Sequence, residues 1–158
     1  FPLLDSATYS YARNFTLEHR GTDIMAPAGT PVLAVEGGKA WSAIEEKGGK
    51  VAYLDGKSGV RYFYGHLQTW ATKLISATPT TPIEVDASDV LGLVGSTGNA
   101  EGRPPHLHFQ MKRGSLQIDP FDDLAAVDIK HKGDRGMGTG VLVLALLWAW
   151  SQRQKGSS

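Results

Sequence analysis

The chain has 158 residues, 41% hydrophobic and 20% charged, as expected for a globular protein large enough to bury a hydrophobic core. Sixteen basic residues balance sixteen acidic ones, so the charge gives no reason to expect nucleic acid or an anionic surface as a partner. The absence of cysteine excludes disulfide scaffolds, thiolate metal sites and cysteine nucleophiles.

Residues 30–113 predict a mainly β fold, an antiparallel core of short strands and hairpins. Short apolar runs alternate with glycine-containing turns, and no sustained helical period appears except for a turn or two around residues 68–76. The pair Gly37-Gly38 lies between two such runs and predicts a two-residue hairpin. Residues 55–59 predict a later turn, and residues 77–89, rich in Thr and Pro, predict an exposed loop inserted between strands.

The character of the sequence changes after Pro120, which predicts a domain over residues 1–121 and a tail over residues 122–158. Residues 141–150 of the tail form an unbroken apolar run. That run is shorter than the roughly 17–25 residues of a membrane helix, although the uncharged residues 136–152 reach the lower limit. The segment fits either a membrane anchor or a helix or strand packed on the domain.

Four of the five histidines lie in patterns that suit metal chemistry. His106 and His108 begin a predicted strand, where residues two apart point to the same face with Cα atoms about 6.5–7 Å apart. Their imidazoles can approach one centre, or they merely share a solvated face. His19 and Asp23 stand four apart, and Gly21 between them argues against a helix. A straight strand would separate these two by about 13 Å, so the chain must curve to bring both to one metal.

His66 ends a predicted strand in which Tyr62, Tyr64 and His66 alternate with Phe63, so the three share a face and Phe63 lies opposite. His66 is either a structural residue bonded to a neighbouring carbonyl or a residue that faces the same cleft as His106. Together, two histidines and one carboxylate without a fourth protein ligand have the composition of a catalytic zinc site, where water completes the coordination. A nearby imidazole, with an ordinary pKa of about 6.5, suits proton transfer at such a site.

Several motifs, in the same order along the chain, resemble those of the LytM/lysostaphin-type zinc metallopeptidases. They are residues 19–27 (HRGTDIMAP), 29–32 (GTPV), 64–67 (YGHL), 92–98 (GLVGSTG), 105–109 (PHLHF) and 119–120 (DP). The resemblance covers about residues 10–121. It implies that His19, Asp23 and His108 hold one Zn²⁺ ion. It also implies that His66 and His106 activate water and stabilise the tetrahedral intermediate, with the choice of general base left open.

By the same resemblance, the chain is expected to be a zinc-dependent endopeptidase that hydrolyses peptide cross-links of bacterial peptidoglycan. The resemblance also implies an antiparallel β core with a substrate groove across it. It further implies an extracytoplasmic location, in the periplasm, the cell envelope or the medium. Residues 77–89 are longer than the family's usual link and are expected to reshape one wall of the groove, so the resemblance does not predict which cross-link is cut. The alternative is a non-catalytic LytM-like domain that activates another wall hydrolase; such members typically lose metal ligands, whereas this chain keeps all five positions.

Overall fold

Strands dominate the part of the chain that the computed structural model describes, which is residues 1–4, 9–13, 15–16 and 18–124. The strands are β1 (Ser10–Arg13), β2 (Thr22–Met25), β3 (Pro31–Leu33), β4 (Gly38–Glu45), β5 (Gly49–Gly56), β6 (Arg61–Trp70), β7 (Ile83–Val85), β8 (Val90–Val94), β9 (His106–Arg113) and β10 (Leu116–Ile118). Two short 3-10 turns, η1 (Thr72–Leu74) and η2 (Gly98–Ala100), connect them, and residues 121–124 are helical. The mainly β prediction is confirmed.

Every strand pair in this sheet is antiparallel. The main path runs β1-β2-β9-β6-β5-β4-β7, while β10 pairs with β9, and β8 pairs with both β3 and β6. Long hairpins join β4 to β5 and β5 to β6, as the glycine-containing turns predict. Strands β2, β9 and β6 are therefore neighbours, although they come from distant parts of the sequence.

The core lies against the inner face of β6 and β9. Leu107 and Phe109 of β9 are 0% and 1% exposed, and they alternate with the two histidines of that strand. The Phe109 ring packs on Tyr64 of β6, with ring centroids 5.3 Å apart, and stacks on Tyr62 at 6.1 Å. A fully buried side chain of this size contributes about 1.5–3 kcal/mol. These contacts therefore set which face of β9 carries its polar residues.

The hairpin predicted at Gly37-Gly38 is wrong. Strand β3 pairs with β8, whereas β4 pairs with β5 and β7. Gly38 instead allows close passage along β5, because a Cβ atom on it would overlap the Asp55 carbonyl oxygen. The preceding Glu36 is buried, and its carboxylate accepts hydrogen bonds from the Tyr62 hydroxyl (2.6 Å) and from the Ser58 hydroxyl (2.5 Å).

The prediction of an exposed loop over residues 77–89 is wrong for the second half of that range. Strand β7 lies within this stretch and extends the sheet beyond β4, with Val85 opposite Gly38. Val85 is 3% exposed, while Glu84 beside it faces solvent. One polar residue between two apolar ones is too short an alternation to mark a strand among threonines and prolines.

Residues Phe1–Asp122 form one unit, and Asp123–Ser158 form another, of which the structure describes only the first two residues. The predicted apolar segment at residues 141–150 lies outside the described residues. Within the described part of the chain, none of the helical residues belongs to a helix long and apolar enough to cross a membrane.

Leu54 and Ile44 test the assignment of the buried face. Leu54 of β5 is 0% exposed, whereas Ile44 of β4 is 76% exposed. We expect Leu54→Ala to lower the free energy of unfolding by about 2–5 kcal/mol, since it leaves a cavity in the core. Ile44→Ala, the matched control, should change it by less than about 0.5 kcal/mol. Equal losses for the two variants in urea unfolding would contradict this assignment.

Candidate metal centre

The antiparallel pairing of β2 with β9 places Asp23 directly opposite His108. Directly opposite residues of such a pair have Cβ atoms about 4.5–5.5 Å apart, on the same face of the sheet. The carboxylate and the imidazole therefore meet, and Nδ1 of His108 lies 2.6 Å from Oδ1 of Asp23. This contact joins two residues far apart in the sequence.

His19 joins this pair because the chain bends over residues 18–21 before β2 begins. Its Nε2 lies 3.1 Å from Oδ1 of Asp23 and 3.1 Å from Nδ1 of His108. The curvature expected around Gly21 is present. However, glycine is required at this position by the close approach of β9 and not by the bend. A Cβ atom on Gly21 would lie 2.6 Å from the Phe109 carbonyl oxygen and 3.0 Å from Cε1 of His108, so a side chain would push β2 away from β9.

The three side chains fit a single metal ion. Their ligand atoms, two imidazole nitrogens and one carboxylate oxygen, are 2.6–3.1 Å apart. Tetrahedral zinc with bonds of about 2.0–2.1 Å has ligand atoms about 3.3 Å apart, so a small outward movement accommodates the ion. Burial alone would raise the pKa of Asp23, but the hydrogen bond from His108 and the nearby imidazoles outweigh it and hold the pKa below its ordinary value. The carboxylate is thus an anionic ligand at neutral pH.

His66 does not share a face with Tyr62 and Tyr64, so that part of the strand prediction is wrong. Both tyrosines are buried in the core, and so is Leu67, the residue that follows His66. His66 instead lines the same groove as Phe63, on the opposite face of β6.

A β-bulge in β6 causes this change of face. Lys50 of β5 pairs with Leu67, and Ala52 pairs with Tyr64, so two residues of β6 stand opposite one residue of β5. His66 is one of the two and has a φ of 62°, in the left-handed region. Such a conformation costs about 1–3 kcal/mol for a residue with a side chain and is typical of active sites.

His66 and His106 form a second pair of imidazoles beside the first cluster. Their ring centroids are 4.8 Å apart, and the His66 ring is 5.8 Å from that of His108. Nδ1 of His66 donates to the Thr97 carbonyl and Nδ1 of His106 donates to the Pro104 carbonyl, both at 2.9 Å. Because a carbonyl only accepts, these bonds leave Nε2 of each neutral ring as a proton acceptor.

The surroundings of His66 favour the neutral form of its ring. Burial lowers its pKa most, and the neighbouring His106 and His108 lower it further, although the bond to the Thr97 carbonyl acts in the opposite direction. A neutral imidazole beside a candidate metal centre is suited to accept a proton.

Two residues that contact these histidines were not among the predicted site residues. The amide nitrogen of Gln110 lies 2.7 Å from Nε2 of His108, and Gln110 in turn contacts Gln117. Gln110 follows His108 by two positions on one strand, so the period of two could have identified it. Thr97 has no such signal, because a backbone carbonyl from a distant loop is not tied to residue type.

All five predicted residues line one open groove of about 1250 Å³. The groove continues from the histidines over the outer face of β5, β6 and β9. Phe63 lies beside His108, with ring centroids 6.0 Å apart, and Tyr53 lies 5.3 Å beyond Phe63. The lining also includes charged and polar residues such as Arg20, Glu45, Lys47, Asp55, Arg61, Asn99, Arg103 and Lys112.

Residues 17–120 match the family model of peptidase family M23, and this range contains all five site residues. The chain therefore belongs to peptidase family M23, a family of zinc metallopeptidases. The resemblance to LytM and lysostaphin is confirmed at the level of the family.

Individual relatives agree with this membership. The DD-carboxypeptidase/endopeptidase Mpg of Neisseria meningitidis serogroup B is 35% identical over 107 residues, covering 65% of this chain and 22% of the relative. The L-Ala--D-Glu endopeptidase of Bacillus subtilis is 33% identical over 147 residues, covering 80% of this chain and 43% of the relative. The catalytic domain of lysostaphin from Staphylococcus simulans superposes with a TM-score of 0.62 at 29% identity, covering 74% of this chain and 92% of that domain. The chain thus spans less than half the length of the Neisseria and Bacillus relatives.

Proposed function

We propose that this chain is a zinc-dependent endopeptidase that hydrolyses peptide cross-links of bacterial peptidoglycan. The observation that carries the proposal is the convergence of His19, Asp23 and His108 within 3.1 Å, beside two further imidazoles in an open groove. Relatives of the chain are named as endopeptidases, and one is named as a peptidoglycan endopeptidase. These names support the substrate class. Since peptidoglycan lies outside the cytoplasm, an extracytoplasmic location belongs to the proposal.

Nε2 of His19, Oδ1 of Asp23 and Nδ1 of His108 would hold the zinc ion. The chemistry that zinc supplies at such a site is Lewis acidity, which polarises a carbonyl and acidifies water. Asp23 offsets one of the two positive charges of the ion. Gln110 contacts the far nitrogen of His108. With Nδ1 on the ion, that nitrogen would carry the proton and would donate it to the amide oxygen of Gln110 once the amide is turned over, which would fix the orientation of the ring.

His66 and His106 would move the protons of the reaction. Hydrolysis forms a bond between the water oxygen and the carbonyl carbon, and then breaks the bond from that carbon to the amide nitrogen. The two rings present Nε2 to the groove, remove a proton from the attacking water and return one to the leaving amine. When protonated, either ring also stabilises the negative charge of the tetrahedral intermediate.

The groove suits a peptide that carries charges of both signs. Its walls hold basic side chains, such as Arg61 and Lys112, and acidic ones, such as Glu45 and Asp55. Stem peptides and cross-bridges of peptidoglycan contain both carboxylates and amines. This mixture agrees with such a substrate better than with a polyanion, which would need an excess of basic groups.

His108→Ala tests the metal ligands. We expect the wild-type protein to bind about one zinc ion per chain, and the variant to lose zinc and cleavage together, since two ligands cannot hold the ion tightly. A chelator should abolish the activity and added zinc restore it. Zinc content by atomic emission and release of cross-linked muropeptides by mass spectrometry provide the readouts.

His131→Ala is the matched control for this experiment, because His131 lies outside residues 17–120, which match the family model; the variant should keep both zinc and activity. If His108→Ala or the chelated protein still cleaved peptidoglycan, the metallopeptidase proposal would be wrong.

His106→Ala separates catalysis from metal binding. The ring of His106 is bonded to the Pro104 carbonyl and is not one of the three convergent ligands. We therefore expect the variant to keep its zinc while kcat falls by about 10²–10⁴-fold, the usual contribution of a general acid or base. Lys73→Ala, which removes an exposed ion pair with Asp89, should leave kcat unchanged.

Wild-type kcat in His106→Ala would rule out a catalytic role for this ring. A wild-type protein that binds zinc but cleaves neither directly cross-linked nor glycine-bridged peptidoglycan would favour the regulatory alternative.

A further inference from the structure

We propose that Thr97 is a positioning residue for His66 and holds it in the left-handed conformation that turns its imidazole into the groove. The inference rests on the proposed function in assigning a role to His66, and it adds a residue that touches neither the metal ligands nor the substrate. It follows from three sets of contacts around the β6 bulge.

The Thr97 hydroxyl bridges the two strands at the edge of the bulge. It donates to the Leu67 carbonyl at 2.9 Å and accepts from the Lys50 amide at 2.9 Å. Lys50 and Leu67 are opposite each other in the β5–β6 pair, at the point where the register shifts. One hydroxyl thus supplies an acceptor to β5 and a donor to β6, where the bulge interrupts the regular ladder.

The carbonyl of the same residue holds the His66 ring. Nδ1 of His66 donates to it at 2.9 Å, and the backbone amide of His66 donates to the Gly48 carbonyl at 2.8 Å. The side chain and the backbone of His66 are therefore both held from outside its own strand pair. A conformation that a histidine does not readily adopt persists only where the surroundings impose it in this way.

Thr97 is itself fixed by the turn between β4 and β5. The Asn99 amide donates to the Lys47 carbonyl at 3.0 Å. Gly49 and Gly98 both have positive φ, at 66° and 70°, and a Cβ atom on either would overlap the backbone of the other. The two loops therefore pack backbone against backbone, which leaves the Thr97 hydroxyl little freedom to move.

Loss of the hydroxyl should act on His66 and leave the metal ligands in place. Without the hydroxyl, the Lys50 amide and the Leu67 carbonyl lose the partner that they share. A direct hydrogen bond between these two groups would then favour regular pairing of β5 with β6, without the bulge. A regular ladder would displace His66 from the groove, because alternation turns each residue of β6 to a fixed face. The metal ligands lie on β2, on β9 and in the bend before β2, and none of them contacts the hydroxyl.

Thr97→Val and Thr97→Ser form the test pair. Valine keeps the shape and the backbone carbonyl but removes the hydroxyl, whereas serine keeps the hydroxyl. We expect Thr97→Val to lower kcat for a cross-linked muropeptide by about 10–100-fold, the size of effect that a displaced catalytic group produces. KM should stay within about threefold and zinc at one per chain, since substrate binding and the metal ligands are untouched. Thr97→Ser should remain within about threefold of wild-type kcat.

The conformation of His66 gives a readout that does not depend on activity. In NMR spectra, the Cα and Cβ chemical shifts of His66 should indicate a positive φ in the wild type and in Thr97→Ser, and move away from these values in Thr97→Val. Unchanged shifts in Thr97→Val, or a Thr97→Ser variant as altered as Thr97→Val, would overturn the proposal. If the shifts behave as expected but the wild type cleaves no peptidoglycan, the proposed function fails and the positioning of His66 by Thr97 stands.

Discussion

The register of β2 on β9 is the constraint on which the metal centre depends. Ile24 and Leu107 are opposite each other in this pair, and both are completely buried. Asp23 and His108, the adjacent pair, consequently meet on the outer face. A slip of β2 by one residue along β9 would turn Ile24 into the groove and the carboxylate of Asp23 into the core, away from His108. With about 1.5–3 kcal/mol from each buried side chain, the core opposes that slip and so maintains the distances between the ligand atoms.

The second pair of imidazoles is placed by two different means. His106 lies on the groove side by the ordinary alternation of β9, whose other face holds Leu107 and Phe109. His66 lies there because alternation is broken by the bulge in β6. The site therefore combines a regular ladder, which the hydrophobic core stabilises, with a local irregularity, which polar contacts from two loops stabilise. A strained residue of this kind is a common feature of groups that take part in catalysis.

The sequence allowed the prediction of those features that depend on local patterns. Strands β4, β5, β6, β8 and β9 follow from their apolar runs and turn residues, and the shared face of His106 and His108 follows from the period of two. The face of His66 could not be predicted, since the bulge depends on contacts with Gly48 and Thr97, which are distant in sequence. For the same reason the hairpin prediction at Gly37-Gly38 is wrong: Gly38 permits close packing against β5, and nothing in the local sequence distinguishes that from a turn.

The location of zinc in crystals of the zinc-loaded protein tests the assignment of the metal centre most directly. Anomalous diffraction data collected above and below the zinc absorption edge would show the ion independently of any activity. We expect one peak, about 2.0–2.1 Å from Nε2 of His19, a carboxylate oxygen of Asp23 and Nδ1 of His108. A peak between His66 and His106, or no peak beside Asp23 at full zinc occupancy, would contradict the assignment.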